Sequence, residues 1–160
     1  MIWGASSVRT FVNSATFLAF LILASAAHAV CSVSATGVNF GGYDIFSAAP
    51  LDSTGSVRVS CDQNPPMDIT VAIGSSGTSG GFRPRAMRNA STADRLNYNL
   101  FTDASMSVVW GDGTSGTSTV LLFKVNKNRP QTATIYGRIP PGQNVSVGTY
   151  ADTLTVTITP

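Results

Sequence analysis

The feature that most constrains the fold of this chain is a two-residue alternation of apolar and hydroxyl side chains. It is clearest near the C-terminal end, where apolar residues alternate with threonines: Leu154, Val156 and Ile158 against Thr153, Thr155, Thr157 and Thr159. Successive side chains of a strand point to opposite faces, so this pattern is typical of a strand with one buried face. No segment after residue 29 shows the apolar period of an amphipathic helix.

Segments of this kind recur between turns that contain glycine or proline. The pattern predicts strands at 31–40, 55–62, 67–74, 95–103, 106–112, 118–126, 132–139 and 145–159. The stretch 75–94, rich in Gly, Ser and Arg, is predicted to be a loop. Many short strands with regular turns and no helix predict an all-β protein, in the form of a β-sandwich.

The first 29 residues are predicted to be a secretory signal peptide. They combine a weakly positive start at Arg9, a short apolar run at 16–26 and the small-residue cleavage site Ala-His-Ala at 27–29. The alternatives are an uncleaved membrane anchor and a lipoprotein acylated at Cys31, which Val30 fits poorly. We therefore expect one exported domain, residues 30–160, with no stable membrane insertion after cleavage.

The two cysteines, Cys31 and Cys61, are predicted to form a disulfide, because an even count in an exported protein favours pairing. Both lie on the apolar parity of their segments: Cys31 with Val33 and Ala35, and Cys61 with Val59. Two inward cysteines in strand-like segments indicate a link between two strands. The alternative is a pair of free thiols.

Charge and composition argue against several functions. The formal net charge is only +2, which does not supply the basic field that nucleic acid or an anionic membrane requires. The chain has no glutamate, and its single histidine, His28, lies in the predicted leader. Without a base beside a nucleophile, or His and free Cys ligands for zinc, neither an enzyme nor a cofactor or metal site is expected.

Three short motifs are better explained as loops. Gly111, Gly113 and Gly116 match the dinucleotide fingerprint, but a predicted strand follows them where a helix is required, so we expect a hairpin loop. Ser79 matches a nucleophile elbow without a histidine partner. Asp112 alone falls far short of the ligands that calcium takes.

Arg83, Arg85 and Arg88 form the chain's one basic cluster and are a candidate loop for contact with an anionic glycan or a partner. The alternative is a solvated loop, or an arginine bound to backbone carbonyls. Trp110 would suit sugar stacking if exposed, but its apolar surroundings favour a core position.

Several longer sequence segments resemble those of a known family. They are CSVSATGVNFGGY (31–43), GSVRVSC (55–61), LNYNLFTD (96–103) with VVWGDG (108–113), and ATIYGRIPPGQNVSVGTYADTLTVTI (133–158). Together they resemble the spore coat protein U domain family, which includes pilin subunits of archaic chaperone–usher pili. The resemblance implies an immunoglobulin-like β-sandwich that lacks its final strand. A periplasmic chaperone, and later a neighbouring pilus subunit, would lend that strand at the outer-membrane usher.

On this sequence the resemblance implies a donor-strand groove between the first and last strands, lined by Val33, Ala35, Leu154, Val156 and Ile158. The implied function is a structural subunit of a surface fibre, in adhesion or biofilm formation. Only Val30 separates the predicted cleavage site from Cys31, so we expect an acceptor without its own donor extension, at a terminal position. The alternatives are a secreted coat or surface matrix protein that folds without a donor, and a glycan-binding module.

Overall fold

The structure, a computed structural model, describes residues 30–160. This part of the chain contains nine strands. They are β1 (Cys31–Thr36), β2 (Leu51–Cys61), β3 (Met67–Ile73), β4 (Arg85–Asn89), β5 (Arg95–Phe101), β6 (Val120–Val125), β7 (Gln131–Ile139), β8 (Tyr150–Ala151) and β9 (Val156–Thr159). The predicted signal peptide, residues 1–29, lies outside the described residues. Among residues 30–160 no helix is long and apolar enough to cross a bilayer.

The strands form two antiparallel sheets. One has six strands in the order β1-β2-β7-β5-β4-β8, and the other has three in the order β6-β3-β9. Alternate residues of each sheet point into a shared core, which includes Val57 and Val59 of β2 and Ile69 and Val71 of β3. The all-β sandwich predicted from the alternating pattern is therefore confirmed.

The first two strands are joined covalently as predicted. In the β1–β2 register Cys31 lies directly opposite Cys61, and the two form a disulfide across a sequence separation of 30. Cys61 is fully buried while Cys31 is partly exposed. The disulfide thus attaches an edge strand to the interior of its sheet.

The strand predictions need three corrections. Strand β4 lies inside the stretch predicted to be a loop, and its polar residues Arg85 and Asn89 are buried, which hides the usual alternation. The predicted strand 106–112 makes only isolated bridges, through Val109 and Trp110. The predicted strand 145–159 is two short strands, β8 and β9, which belong to different sheets.

Candidate functional site

Strand β1 leaves one side of its backbone without a partner. It is the edge of the six-stranded sheet, and the Asp62 N–H donates to the Val30 carbonyl at 2.9 Å just before it. Bonded and non-bonded pairs alternate along an antiparallel ladder, so the backbone groups of Val33 and Ala35 point away from β2. No described strand lies on that side.

Strand β9 has the same arrangement at the edge of the three-stranded sheet. The Gly74 N–H donates to the Thr155 carbonyl at 2.8 Å, and the register continues with Ile73 opposite Val156. By the same alternation, the N–H and C=O groups of Val156 and Ile158 point to the free edge. Each free edge therefore offers backbone donors and acceptors beside apolar side chains.

The side chains at both edges lack the cover that their neighbours have. Val33 is 43% exposed, although Val59 directly opposite on the same face is 0% exposed. Val156 and Ile158 are only half-buried, while their partners on β3 are fully buried. The inward face of the sandwich is thus open along these two strands.

A cleft of about 330 Å³ lies between these edges and reaches the core. Ala35 lines it from the β1 side, and Leu154 and Val156 line it from the β9 side. Further lining residues come from the core of both sheets: Ile73, Leu100 and Ile135. Both edge strands of the six-stranded sheet, β1 and β8, contribute to the rim.

The structure brings together three of the five residues suggested for the groove, namely Ala35, Leu154 and Val156. Val33 and Ile158 are not among the lining residues of the cleft. They occupy the next inward positions of β1 and β9, so they extend the two open edges beyond it.

One charged residue, Asp152, also lines the cleft. Its Oδ2 accepts a hydrogen bond from the Tyr98 hydroxyl at 2.8 Å, and its Oδ1 accepts one from the Thr153 N–H at 3.0 Å. Burial raises the pKa of the Tyr98 hydroxyl, and the hydrogen bond to Asp152 raises it further. Asp152 is not among the site residues predicted from the sequence, although its parity matches that of Leu154 and could have indicated it.

A second cleft of about 710 Å³ adjoins the first. The two share four lining residues: Val38, Phe40, Met87 and Tyr150. Segments 38–46 and 145–150 form its walls, and the almost fully exposed Phe46 and Val147 belong to those walls. Because these segments are irregular, no periodic signal in the sequence indicated this cleft.

The three arginines do not form one exposed loop, because Arg85 is 0% exposed. Its Nη2 donates to the carbonyls of Trp110 at 2.8 Å and Gly74 at 2.9 Å, and its Nη1 donates to Asn99 Oδ1 at 3.1 Å. Burial lowers the pKa of its guanidinium. The prediction of a ligand contact is wrong for Arg85, and the alternative of an arginine bound to backbone carbonyls holds for this residue.

The other two arginines, Arg83 and Arg88, are exposed. Arg83 Nη2 donates to the carbonyl of Gly116, which joins the segment before β4 to the loop after Trp110. Arg88 lies on β4 directly opposite Arg95 of β5. A contact of Arg83 or Arg88 with a partner stays a prediction.

The aromatic and glycine-containing loop predictions have clear outcomes. Trp110 is fully buried and its Nε1 donates to the carbonyl of Val71 at 3.0 Å, so the core prediction is confirmed. Gly113 and Gly116 have positive φ angles of 89° and 73°, which glycine adopts without strain, and strand β6 follows them.

Within residues 30–160, no group of three His, Cys, Asp or Glu side chains is placed to hold a metal.

Comparison with solved structures relates this fold to fibre subunits. The chain is similar to a chain in the crystal structure of the CsuC–CsuE chaperone–tip adhesion subunit pre-assembly complex from archaic chaperone–usher Csu pili of Acinetobacter baumannii. The identity is 25% and the TM-score 0.56, over 82% of this chain and 39% of that one. It also matches the minor tip subunit HdaB of the E. coli Hda pilus, at 14% identity and a TM-score of 0.42, over 79% of each chain.

Sequence comparison gives the family directly. The chain is 36% identical to Protein U of Myxococcus xanthus, over 96% of this chain and 99% of that protein. The model of the Spore Coat Protein U domain matches residues 16–157. The chain therefore belongs to the spore coat protein U domain family.

Proposed function

We propose that this chain is a structural, non-enzymatic subunit of a chaperone–usher surface fibre, and that a strand from a second chain completes its fold. The observation that carries the proposal is the cleft between the free edges of β1 and β9, which reaches Leu100 and Ile135 of the core. Unpaired edges beside apolar side chains invite strand addition, or aggregation where no strand is supplied.

An added strand would pair with the free backbone groups of this site and would also cover its exposed apolar side chains. Its backbone would pair with the N–H and C=O groups of Val156 and Ile158, which point to the free edge of β9. Its alternate side chains would cover the inward face that leaves Val33 exposed. Hydrogen bonds of the main chain supply affinity in this mode, while pockets for alternate side chains supply specificity.

The partners follow from the family and from the complex to which this fold is similar. A periplasmic chaperone supplies the first strand, and a neighbouring pilus subunit replaces it at the outer-membrane usher. The protein thus passes through the periplasm to the cell surface. The match to a complex between a chaperone and a tip adhesion subunit supports the chaperone step.

We further propose a terminal position in the fibre and a role in adhesion or biofilm formation. The support for the terminal position is that one residue, Val30, separates the predicted cleavage site from Cys31. Mass spectrometry of native fibres gives the test. Copies of this chain repeating along a shaft, with donor residues before Cys31, would contradict the terminal position.

The experiment that tests the acceptor function uses the chain exported with its own leader into an oxidising periplasm. It is produced alone, with a candidate chaperone, and with an added peptide of alternating apolar residues about ten residues long. The matched control is a peptide of the same composition in which the apolar residues are adjacent. We expect the chaperone or the alternating peptide to form a soluble complex with a higher yield and a sharper unfolding transition than the chain alone, and the control peptide to do neither.

A second candidate is a secreted coat or surface protein that folds without a donor. The observation in its favour is the match of the Spore Coat Protein U domain model to residues 16–157. The same experiment separates the two functions, because a stable monomer that unfolds cooperatively and ignores chaperone and peptide supports the coat protein. The glycan-binding function is less well supported, because Trp110, the aromatic residue suggested for stacking on a sugar, is buried.

A further inference from the structure

The alternating series of β9 continues at the same parity into the irregular segment 152–155 that precedes the strand. Asp152 has the same parity as Leu154, Val156 and Ile158, and all four are half-buried. Asp152 is the one charged residue among those that line the smaller cleft. Counted back along the chain from Ile158, the open edge therefore has three apolar positions and then one carboxylate.

The Asp152 carboxylate has acceptor capacity that this chain does not use. Its two oxygens accept from the Tyr98 hydroxyl and the Thr153 N–H, whereas a carboxylate offers about four acceptor sites. Within residues 30–160 the one ion pair joins Arg138 to Asp52, so Asp152 has no cationic partner there.

The nearest guanidinium does not serve as that partner. Arg85 lies directly opposite Tyr98 in the β4–β5 register, so the two side chains point to the same face, but no ion pair joins Arg85 to Asp152. Its N–H groups donate to the carbonyls of Gly74 and Trp110 and to Asn99. The two donors that reach Asp152 are neutral, so a cation in the strand that fills the cleft would add a charge-assisted hydrogen bond to its free acceptor sites.

We propose that Asp152 selects the donor strand, by pairing with a lysine or arginine that the donor carries next to its apolar residues. This inference rests on the proposed acceptor function. A donor paired along β9 places inward side chains at every second position, about 7 Å apart, beside Ile158 and Val156. Leu154 and Asp152 line the same cleft before Val156, so a donor that fills the cleft carries alternating apolar residues followed by one cation.

The test compares peptides that differ only at the position beside Asp152, bound to the full chain produced with its own leader. The three side chains are lysine, norleucine and glutamate, because norleucine keeps the aliphatic stem of lysine without its charge. Competition against a fluorescent peptide measures affinity. We expect the lysine peptide to bind about tenfold more tightly than the norleucine peptide, and the glutamate peptide to bind most weakly.

A variant of the protein assigns the effect to Asp152. Asp152→Asn keeps the shape and still accepts from the Tyr98 hydroxyl, and it should reduce the preference for lysine to less than about twofold. The control peptide carries the lysine at a position that faces solvent, where no preference is expected. Since the peptide series is measured on the unchanged protein, the test does not depend on the folding of the variant.

The outcomes separate this inference from the proposed function. Equal binding of the three peptides, or tighter binding of the norleucine peptide, overturns the selection by Asp152 and leaves the acceptor function supported. A lysine preference that survives in Asp152→Asn also overturns it. Failure of every alternating peptide to bind contradicts the acceptor function itself, and with it the inference.

Discussion

Val33 and Val59 lie directly opposite each other on adjacent strands and point to the same face, yet Val59 is 0% exposed and Val33 is 43% exposed. Paired residues on one face normally share the same cover. The difference locates the boundary of the core between β2 and β1. The inward face of β1 is therefore exposed at Val33 rather than part of the packed interior.

The same substitution at these two positions should therefore have different effects. Val59→Thr places a hydroxyl in the core and is expected to lower the free energy of unfolding by about 1–3 kcal/mol. Val33→Thr should lower it by less than about 0.5 kcal/mol in the empty domain. Urea unfolding of both variants gives the comparison, and equal losses would contradict an open face at β1.

Loss of the disulfide should destabilise the protein through β1. Replacing Cys31 and Cys61 together with alanine opens a loop closed over 30 residues, and is expected to cost roughly 3–4 kcal/mol in the free energy of unfolding. Urea unfolding with and without reductant measures this loss. The double variant serves as its own control, since reductant should not change its stability, and a loss below about 1 kcal/mol would show that pairing with β2 alone holds β1.

Two arginines on the same strand provide a matched test of the interior. Arg85→Met removes the donors that satisfy the carbonyls of Gly74 and Trp110, and should cost more than about 3 kcal/mol. Arg88→Met, three residues later and exposed, should change stability by less than about 0.5 kcal/mol. Thermal or urea unfolding distinguishes them. Similar small effects would contradict the structural role of Arg85.

The ion pair between Asp52 of β2 and Arg138 of β7 predicts a loss of stability in acid. The hydrogen bond from Arg138 lowers the pKa of Asp52 in the folded state. The stability that the ion pair contributes is therefore fully present above the pKa of Asp52 in the unfolded chain, near 3.9, and is lost as the pH falls through the folded-state pKa. The pair is well exposed, so we expect about 0.2–1 kcal/mol.

Urea midpoints measured from pH 7 down to about pH 2 test this dependence. Asp52→Asn should remove only part of the acid loss, because hydrogen bonds also lower the pKa values of Asp94, Asp103 and Asp112. An unchanged pH profile in the variant would show that the pair contributes nothing. Arg138→Gln provides the matched control, since removing either partner should have the same effect on the profile.

Local patterns in the sequence determined those features of the protein that depend only on which face of a strand each residue occupies. The parity of Cys31 and Cys61 indicated the disulfide, and the alternation of Leu154, Val156 and Ile158 indicated one inward face. A two-residue period is a property of the extended backbone itself, so it can be recognised without knowing what lies opposite.

Only the tertiary structure decided which edges stay open and which polar residues enter the interior. The Gly, Ser and Arg content of 75–94 predicts a loop where β4 forms, because the burial of Arg85 and Asn89 depends on groups from other segments. The crossover between β8 and β9 places Asp152 against Tyr98, which is 54 positions away in the chain. Such contacts join residues far apart in sequence, and no local period records which of them will meet.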